Sequence, residues 1–367
     1  MKNNQWHIDF KLNGKSFSSV DEVVLYSKSL SIHTQQFLQD WFSKEDVVEV
    51  TTSGSTGVPK TIRLKKEFMI NSALATGQFF DAFEKTTALL CMSTQYIAGK
   101  MMLVRALVLG WHIDCVTPVS NPLEDRDRIY DFSAMVPLQL QNSLADIHKV
   151  KTLLVGGGAV HIELERELQK IATKVFATFG MTETITHIAV KQLNHIASFG
   201  KKVRKEFKGQ ENNTAINPVH DTSVYKTLPQ VTISRDDRGC LVIHAPKVSE
   251  NKIITNDVVS MISETAFKWL GRMDHVINSG GIKIHPEEVE KKMAAVIPNR
   301  FFVAGVPDQL LGMKLVLLVE GEQSEINLTN GLGLSKYEFP KHIYFLDKFI
   351  ETKTKKIQRS ATLDLIL

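Results

Sequence analysis

The sequence has no long hydrophobic run and little cysteine. It contains no stretch of 18 consecutive apolar residues, and its first residues, MKNNQWHIDFKLNG, lack the apolar core of a signal peptide. The three cysteines, Cys91, Cys115 and Cys240, are widely spaced, which excludes a CxxC metal site and argues against a disulfide framework. We therefore expect a cytoplasmic protein that has no membrane span.

A strong excess of charge of either sign is also lacking. The 44 basic and 40 acidic residues give a net charge of +4, and they are spread along the chain, which argues against a nucleic-acid-binding protein. With 43% hydrophobic and 23% charged residues, the chain resembles an ordinary globular protein. Small anionic partners are compatible with this charge, and the sequence leaves a homodimer open.

Short apolar runs rich in β-branched residues indicate buried strands in the first half of the chain. These runs are ALLCMST (88–94), HIDCVTP (112–118), KTLLVGGG (151–158) and KVFATFG (174–180). Between the last two lies HIELERELQKIA (161–172), whose apolar residues recur at helical spacing. Strand, helix and strand in this order predict a parallel α/β sheet that binds ligands at the carboxyl ends of its strands.

The pattern changes after about residue 195. A polar, basic stretch follows, which we interpret as a long surface loop, and residues 230–246 then alternate around a DDRG turn, as in a β-hairpin. Beyond Gly271, a helical pattern over 285–297 and three further strand-like runs predict a separate α+β domain. We therefore expect an α/β fold with a large N-terminal domain of mostly parallel sheets and a small antiparallel subdomain (1–271), and a small C-terminal domain (272–367).

The run TTSGSTGVPK (51–60) has a composition that packing alone does not explain. It resembles a Walker phosphate loop, but Pro59 replaces the second glycine and has no N–H for a phosphate. A glycine-rich loop of hydroxyl and backbone donors ending in a lysine suits a triphosphate whose pyrophosphate leaves. A solvated linker is the alternative. The candidate phosphate-binding residues are Thr51, Thr52, Ser53, Gly54, Ser55, Thr56, Gly57 and Lys60.

This run closely resembles the phosphate loop of the acyl-adenylate-forming superfamily, which includes acyl-CoA and aryl-CoA synthetases. Further segments resemble the other motifs of this superfamily in the same order: GGGAV (156–160), TFGMTET (178–184), TND (255–257), GRMDHVINSGGIKIHPEEVE (271–290) and TKTKKIQR (352–359). The resemblance extends from about residue 45 to the end of the sequence. Only about fifty residues precede the loop, so we expect a shortened N-terminal subdomain.

The resemblance implies an ATP site in the large domain. Gly157 and Gly158 would lie beside the adenine and the acyl group, and Phe179 with Gly180 would contact the adenine. Thr182 would contact the α-phosphate, and Glu183 would bind Mg²⁺. Asp257 would accept hydrogen bonds from the ribose, and Arg272 would contact the ribose or a phosphate. Asn256 replaces the usual glycine of the Thr-Gly-Asp motif, so either its backbone is left-handed or the local geometry differs.

The resemblance also implies that the C-terminal domain moves. Asp274 would be the hinge, and the run Ser279, Gly280 and Gly281 would line a tunnel for the thiol of CoA after the domain rotates. Lys356 would bridge the substrate carboxylate and the α-phosphate during adenylation, although Lys355 replaces a usual glycine beside it. The reaction implied is an ATP-dependent and Mg²⁺-dependent acid–CoA ligation through an acyl-adenylate.

The compact chain and the segment STQYIAGKMMLVRAL (93–107) look most like bacterial 2-succinylbenzoate–CoA ligases of menaquinone synthesis. That acid has two carboxylates, so one must be bound while the other reacts. Lys100, Arg105 and His187 are the candidate anchors, with ordinary helix or core positions as their alternative roles. Other readings are a ligase for another aryl or short acyl acid, an enzyme that loads a carrier protein, and a non-catalytic nucleotide-binding regulator.

Overall fold

The computed structural model describes residues 6–51, 61–195, 223–328, 330–352 and 356–367. None of the helices in these ranges is both long and apolar enough to cross a membrane. The helices are α1 (Val20–Ser27), α2 (Ile32–Phe42), α3 (Lys66–Phe80), α4 (Ile97–Leu109), α5 (Pro137–Asn142), α6 (Ile162–Leu168), α7 (Pro286–Met293) and α8 (Arg359–Leu363), with short 3-10 turns at Ile147–Lys149, Thr182–Thr184, Met273–His275 and Asn330–Leu332.

A twelve-stranded mixed sheet organises the first 272 residues. The strands within the described ranges are β1 (Lys11–Leu12), β2 (Val47–Thr51), β3 (Thr61–Lys65), β4 (Thr87–Leu90), β5 (His112–Cys115), β6 (Tyr130–Met135), β7 (Val150–Val155), β8 (Lys174–Gly180), β9 (His187–Gln192), β10 (Val224–Thr227), β11 (Thr232–Arg235), β12 (Cys240–His244), β13 (Ile253–Ser263), β14 (Ala266–Arg272), β15 (Ile277–Ser279), β16 (Ile282–Ile284), β17 (Phe301–Asp308), β18 (Gly312–Glu320) and β19 (His342–Leu346). The large sheet has the order β1-β5-β4-β6-β7-β8-β9-β10-β14-β13-β12-β11.

Half of this sheet is parallel and half is antiparallel. The pairs from β1 to β8 are parallel, and every pair from β8 onward to β11 is antiparallel. Helix α4 is buried from Gly99 to its last residue, Leu109, as expected for a helix that the core covers on all sides. The predicted α/β class with added antiparallel strands is therefore confirmed.

The predicted hairpin is also confirmed, and it belongs to the large sheet and not to a separate small subdomain. Strands β11 and β12 pair from Thr232 opposite His244 to Arg235 opposite Leu241, and Gly239 adopts the left-handed backbone of the turn (φ 87°). These strands extend the large sheet at one edge. The antiparallel part is thus continuous with the parallel part in hydrogen bonding.

A second, five-stranded sheet is formed after residue 276. It has the order β16-β15-β18-β17, with β19 pairing parallel to β18, and α7 packs against it. Two hydrophobic clusters in this part draw their residues only from position 277 onward, whereas the two clusters of the large sheet draw theirs from positions up to Trp269. The chain thus buries apolar side chains in separate cores before and after residues 270–276.

Candidate active site

Two glycine-containing turns lie at one edge of the parallel sheet. The run Gly156–Gly158 follows β7, and Phe179 and Gly180 end β8, and these neighbouring strands are parallel. A Cβ atom on Gly156 would lie 2.5 Å from Oγ1 of Thr178, and Gly157 has a left-handed backbone (φ 82°). Close packing and backbone conformation therefore favour glycine at these positions. The glycines also leave backbone without side chains at the edge where a parallel sheet binds ligands.

Phe179 is held by two aromatic neighbours on the antiparallel strands. Its half-buried ring makes edge-to-face contacts with Tyr225 (centroids 5.7 Å apart) and Phe267 (5.2 Å). A Cβ atom on the adjacent Gly180 would lie 2.1 Å from the carbonyl oxygen of Thr186, so only glycine fits where β8 and β9 approach. The aromatic ring is thus fixed in place beside the end of β8.

The turn that follows β8 presents a carboxylate to solvent. Thr184 stabilises this turn, because its Oγ1 accepts the Met181 N–H (3.0 Å) and donates to the Thr186 carbonyl (2.6 Å). Ile185 takes a left-handed backbone (φ 66°), which is strained for a β-branched residue, and strain of this kind clusters at functional sites. Thr182 is half-buried and Glu183 is exposed.

Glu183 has the properties expected of a single protein ligand for Mg²⁺. Within the described ranges, no group of three or more His, Cys, Asp or Glu side chains could hold a metal ion. Mg²⁺ is commonly bound through one or two carboxylates together with substrate phosphates and water, so an exposed glutamate at a sheet edge fits that ion. The remaining ligands would come from the nucleotide and solvent.

Asp257 is a buried carboxylate with one oxygen already held by the protein. The Nε1–H of Trp269 donates to its Oδ1 (2.9 Å), while Nη1 of Arg272 lies 4.0 Å from its Oδ2. Asp257 and Arg272 are opposite each other in the β13–β14 ladder, so the pairing register sets their separation. Burial raises the pKa of the Asp257 carboxyl above its usual range. Sequence reasoning missed Trp269, because its contact with Asp257 depends on the pairing register of β13 and β14.

Asp274 connects the two parts of the chain through a short polar network. Nη2 of Arg272 donates to one of its oxygens (2.9 Å), and Nδ2 of Asn256 donates to the other (3.0 Å). Oδ1 of Asn256 in turn accepts from Nη1 of Arg238 (3.0 Å). The Arg272 guanidinium lowers the pKa of the Asp274 carboxyl. Asn256 lies within β13 and its backbone is not left-handed, so the second alternative, a different local geometry, describes this chain.

The three residues predicted for the thiol tunnel form the tip of the β15–β16 hairpin. Gly280 and Gly281 both adopt left-handed backbones (φ 58° and 82°), as a tight turn requires, and Ser279 is buried. The N–H of Gly280 donates to the carbonyl of Leu311 (2.8 Å), at the tip of the neighbouring β17–β18 hairpin. The two hairpin tips therefore support each other.

Lys356 lies exposed at a turn near the end of the chain. The Thr352 N–H donates to the Lys356 carbonyl (2.8 Å), and the Lys356 N–H donates to Oγ1 of Thr352 (3.1 Å). Three residues later, Arg359 makes a two-pronged ion pair with Glu290 of α7 (2.7 Å for each N–O contact). This ion pair fixes the segment to α7, which packs against the second sheet.

Most of the predicted phosphate loop lies outside the described residues. That applies to Thr52, Ser53, Gly54, Ser55, Thr56, Gly57 and Lys60. Thr51 is described: it ends β2, is exposed, and pairs with Thr61 at the start of β3. The two ends of the loop are therefore neighbours in an antiparallel pair.

Two of the three predicted substrate anchors, Arg105 and His187, lie together, and Lys100 lies apart from them. Arg105 is 2% exposed, donates from Nε to Oγ1 of Thr76 (3.2 Å), and places Nη2 3.4 Å from Nδ1 of His187. Lys100 lies on another face of α4, where its Nζ is 5.0 Å from the ring centre of Phe37. Among the described residues, no Asp or Glu forms an ion pair with Arg105, and burial lowers the pKa of its guanidinium to about 9.

A cavity of about 240 Å³ lies next to His187. Its walls come from α3, from Thr184 to Ile188 at the start of β9, and from residues 228–231 and 245–248. Nε2 of His187 is buried and has no hydrogen-bond partner in the part of the chain that the structure describes. Thr184 and His187 line this cavity, and they belong to the same short segment as Thr182 and Glu183. One segment therefore contributes both to the cavity wall and to the residues at the end of β8.

Comparisons with known proteins agree on one family. The model of the AMP-binding enzyme family matches residues 15–248. A solved structure from Dyadobacter fermentans DSM 18053, described as an acyl-CoA synthetase (AMP-forming)/AMP-acid ligase II-like protein, is 35% identical over 93% of this chain and 97% of its own, with a TM-score of 0.58.

More distant relatives carry a specific name. The 2-succinylbenzoate–CoA ligase of Escherichia coli K12 is 24% identical over 84% of this chain and 67% of its own length. The o-succinylbenzoate CoA synthetase (MenE) of Bacillus subtilis, solved with the acyl-adenylate intermediate OSB-AMP, shares the fold with a TM-score of 0.67 at 18% identity, over 95% of this chain and 81% of that one. Because the family model covers more than half of the 367 residues, the chain belongs to the AMP-binding enzymes, as the sequence motifs predicted.

Proposed function

We propose that this protein is an ATP-dependent acid–CoA ligase. A carboxylate attacks the α-phosphate of ATP to give an acyl-adenylate and pyrophosphate, and the thiol of CoA then displaces AMP to give a thioester. The observation that carries this proposal is the edge formed by β7 and β8, where Gly157, Phe179 and the exposed Glu183 meet at the carboxyl ends of adjacent parallel strands. The name of the 35% identical solved structure supports the same reaction class.

The first half-reaction brings two anions into contact. At an effective dielectric of about 20, two unit charges 4 Å apart interact by about 4 kcal/mol, so cations must offset the repulsion. The ammonium of Lys60 offsets the negative charge of the departing phosphates, and that of Lys356 offsets the charges of the carboxylate and the α-phosphate. Glu183 would hold a Mg²⁺ ion, and the ion when bound would supply positive charge at the phosphates. Asp257 accepts hydrogen bonds from the ribose hydroxyls with the oxygen that Trp269 leaves available.

The nucleotide contact of Asp257 leads to a testable expectation for Trp269. We expect Trp269→Phe to raise the KM for ATP about tenfold, because a hydrogen bond to a charged group contributes about 1.5–3 kcal/mol and its loss lets the carboxylate rotate. Steady-state kinetics with varied ATP measure this. The control is Trp111→Phe, which removes another buried indole hydrogen bond, to the Ala82 carbonyl. A rise in KM of equal size in both variants would contradict a specific role for Trp269.

We also propose that the chain acts as two domains, 1–271 and 272–367, that reorient about Asp274. The separate hydrophobic cores on either side of residues 270–276 support this division. One orientation brings Lys356 to the reacting phosphate, and the other brings Ser279, Gly280 and Gly281 to the CoA thiol. A closed site in the first orientation protects the acyl-adenylate from water.

Asn256 is expected to restrain this hinge, because its side chain links Asp274 to Arg238. Asn256→Ala removes both hydrogen bonds, and loss of the one to Asp274, about 1 kcal/mol, is expected to make amide hydrogen exchange in residues 272–276 about fivefold faster. Asn251→Ala, at an exposed asparagine of the same part of the chain, is the control. Unchanged exchange at 272–276 in the Asn256 variant would show that this contact does not restrain the hinge.

The substrate that we propose is 2-succinylbenzoate. The printed names of the curated relatives suggest it, and a buried Arg105 without an acid partner in the described part of the chain supports an acid with a second anionic group. The test is mass spectrometry of the products formed from ATP, Mg²⁺, CoA and a panel of aryl and short acyl acids. The 2-succinylbenzoyl thioester is expected to form fastest. A faster product from another acid would replace the substrate, and AMP release without any CoA thioester would favour carrier-protein loading.

A further inference from the structure

The contact between Arg105 and His187 determines which ring nitrogen of the histidine carries its proton. A guanidinium can only donate hydrogen bonds, so Nδ1 of His187, 3.4 Å from Nη2 of Arg105, must be the acceptor. Burial, together with the positive charge of Arg105, holds the pKa of His187 well below its usual range, so the ring is neutral. The proton of the neutral ring therefore lies on Nε2.

Within the described ranges, this Nε2–H is an unused donor in a buried position. His187 is 5% exposed, and its Nε2 has no hydrogen-bond partner among the residues that the structure describes. A buried donor without an acceptor is unfavourable, and native proteins rarely keep one without a reason. The cavity of about 240 Å³ provides that reason, since His187 forms part of its wall beside Ser72, Gln78 and Leu228. A ligand oxygen in the cavity would complete the hydrogen bond.

Arg105 does not line this cavity. Its guanidinium lies behind the imidazole, where Nε donates to Oγ1 of Thr76 and Nη1 lies 3.7 Å from Sδ of Met102. Its positive charge reaches the cavity only through the histidine ring, and donation to Nδ1 polarises that ring and strengthens Nε2–H as a donor. The pair thus offers one hydrogen-bond donor, Nε2–H of His187, and the positive charge of Arg105 strengthens that donor.

We infer that His187 donates its Nε2–H to a second oxygen of the bound acid, a carbonyl or carboxylate remote from the reacting carboxylate, and that Arg105 is the positioning residue that sets the histidine tautomer. This inference rests on the proposed function as an acid–CoA ligase. It narrows the substrate class to acids that carry an additional acceptor oxygen, and it assigns different tasks to the two buried residues.

Binding of acids to the full-length protein tests the inference separately from turnover. Isothermal titration of 2-succinylbenzoate is compared with titration of 4-phenylbutanoate, which lacks both additional acceptor groups. His187→Leu is expected to weaken binding of 2-succinylbenzoate about tenfold and to leave binding of 4-phenylbutanoate unchanged. His187→Gln keeps a neutral donor and is expected to stay within about threefold of the natural protein.

The tautomer is measured directly by ¹⁵N NMR of the histidine rings. The natural protein is expected to show the Nε2–H form at His187, and Arg105→Met is expected to populate the Nδ1–H form as well. Equal binding of 2-succinylbenzoate by the natural protein and His187→Leu, or an Nδ1–H tautomer in the natural protein, would overturn the inference. Failure of the proposed function is distinct from either result, because it would appear as binding of the acid without release of AMP or pyrophosphate.

Discussion

Replacement of Lys356 by alanine is expected to reduce adenylation by about 100-fold to 1,000-fold, the range found when one preorganised donor to developing charge is removed. Lys356 lies on a turn held to α7 through Arg359 and Glu290, so it can move as a unit with the second sheet. In the proposed mechanism it acts only in the first half-reaction. Thioester formation from a supplied acyl-adenylate should therefore keep its rate.

Two measurements separate these half-reactions. Pyrophosphate release reports adenylation, and consumption of a synthetic acyl-adenylate with CoA reports thioester formation. Lys355→Ala, which removes the adjacent lysine, is the matched control and should leave both rates within a few-fold of the natural protein. Equal loss of both half-reactions in the Lys356 variant would refute the division of labour between the two domain orientations.

Glu183→Gln is expected to lower adenylation by about 100-fold and to raise the Mg²⁺ concentration needed for half-maximal rate. The amide has nearly the same shape but lacks the negative charge that a hard divalent cation requires. Titration of the rate with Mg²⁺ at saturating ATP measures both effects. The position of the side chain should not change, because the turn is stabilised by Thr184 and not by Glu183.

Glu163→Gln provides the control for this charge change. Glu163 is an exposed glutamate in the first turn of α6. Its Mg²⁺ dependence should match that of the natural protein. An unchanged Mg²⁺ requirement in the Glu183 variant would remove this residue from the proposed metal site.

The parts of the fold that depend on local pattern could be predicted from the sequence. The run KVFATFG predicted β8 with both of its ends, and the DDRG turn predicted the β11–β12 hairpin, because buried strands and tight turns have strong local signals. The helix predicted over 161–172 was too long. The N–H groups of Gln169, Lys170 and Ile171 bond to carbonyls three residues back, so the chain leaves the α-helix after Leu168.

Features that depend on tertiary pairing could not be predicted in this way. The hydrogen bond from Trp269 to Asp257 follows from the register of β13 and β14, and the contact between Arg105 and His187 joins residues 82 positions apart. The separation of Lys100 from Arg105 could have been foreseen, because five residues in a helix correspond to about 140° of rotation. The motifs identified which residues matter, and the structure adds which of them contact each other.

The most direct test of the proposed mechanism follows the oxygen of the carboxylate. If the carboxylate attacks the α-phosphate, turnover of ¹⁸O-labelled 2-succinylbenzoate with ATP, Mg²⁺ and CoA must transfer one ¹⁸O atom to each AMP. We predict AMP heavier by one label and unlabelled pyrophosphate in mass spectra. Unlabelled AMP, or ADP with labelled phosphate, would contradict the acyl-adenylate mechanism.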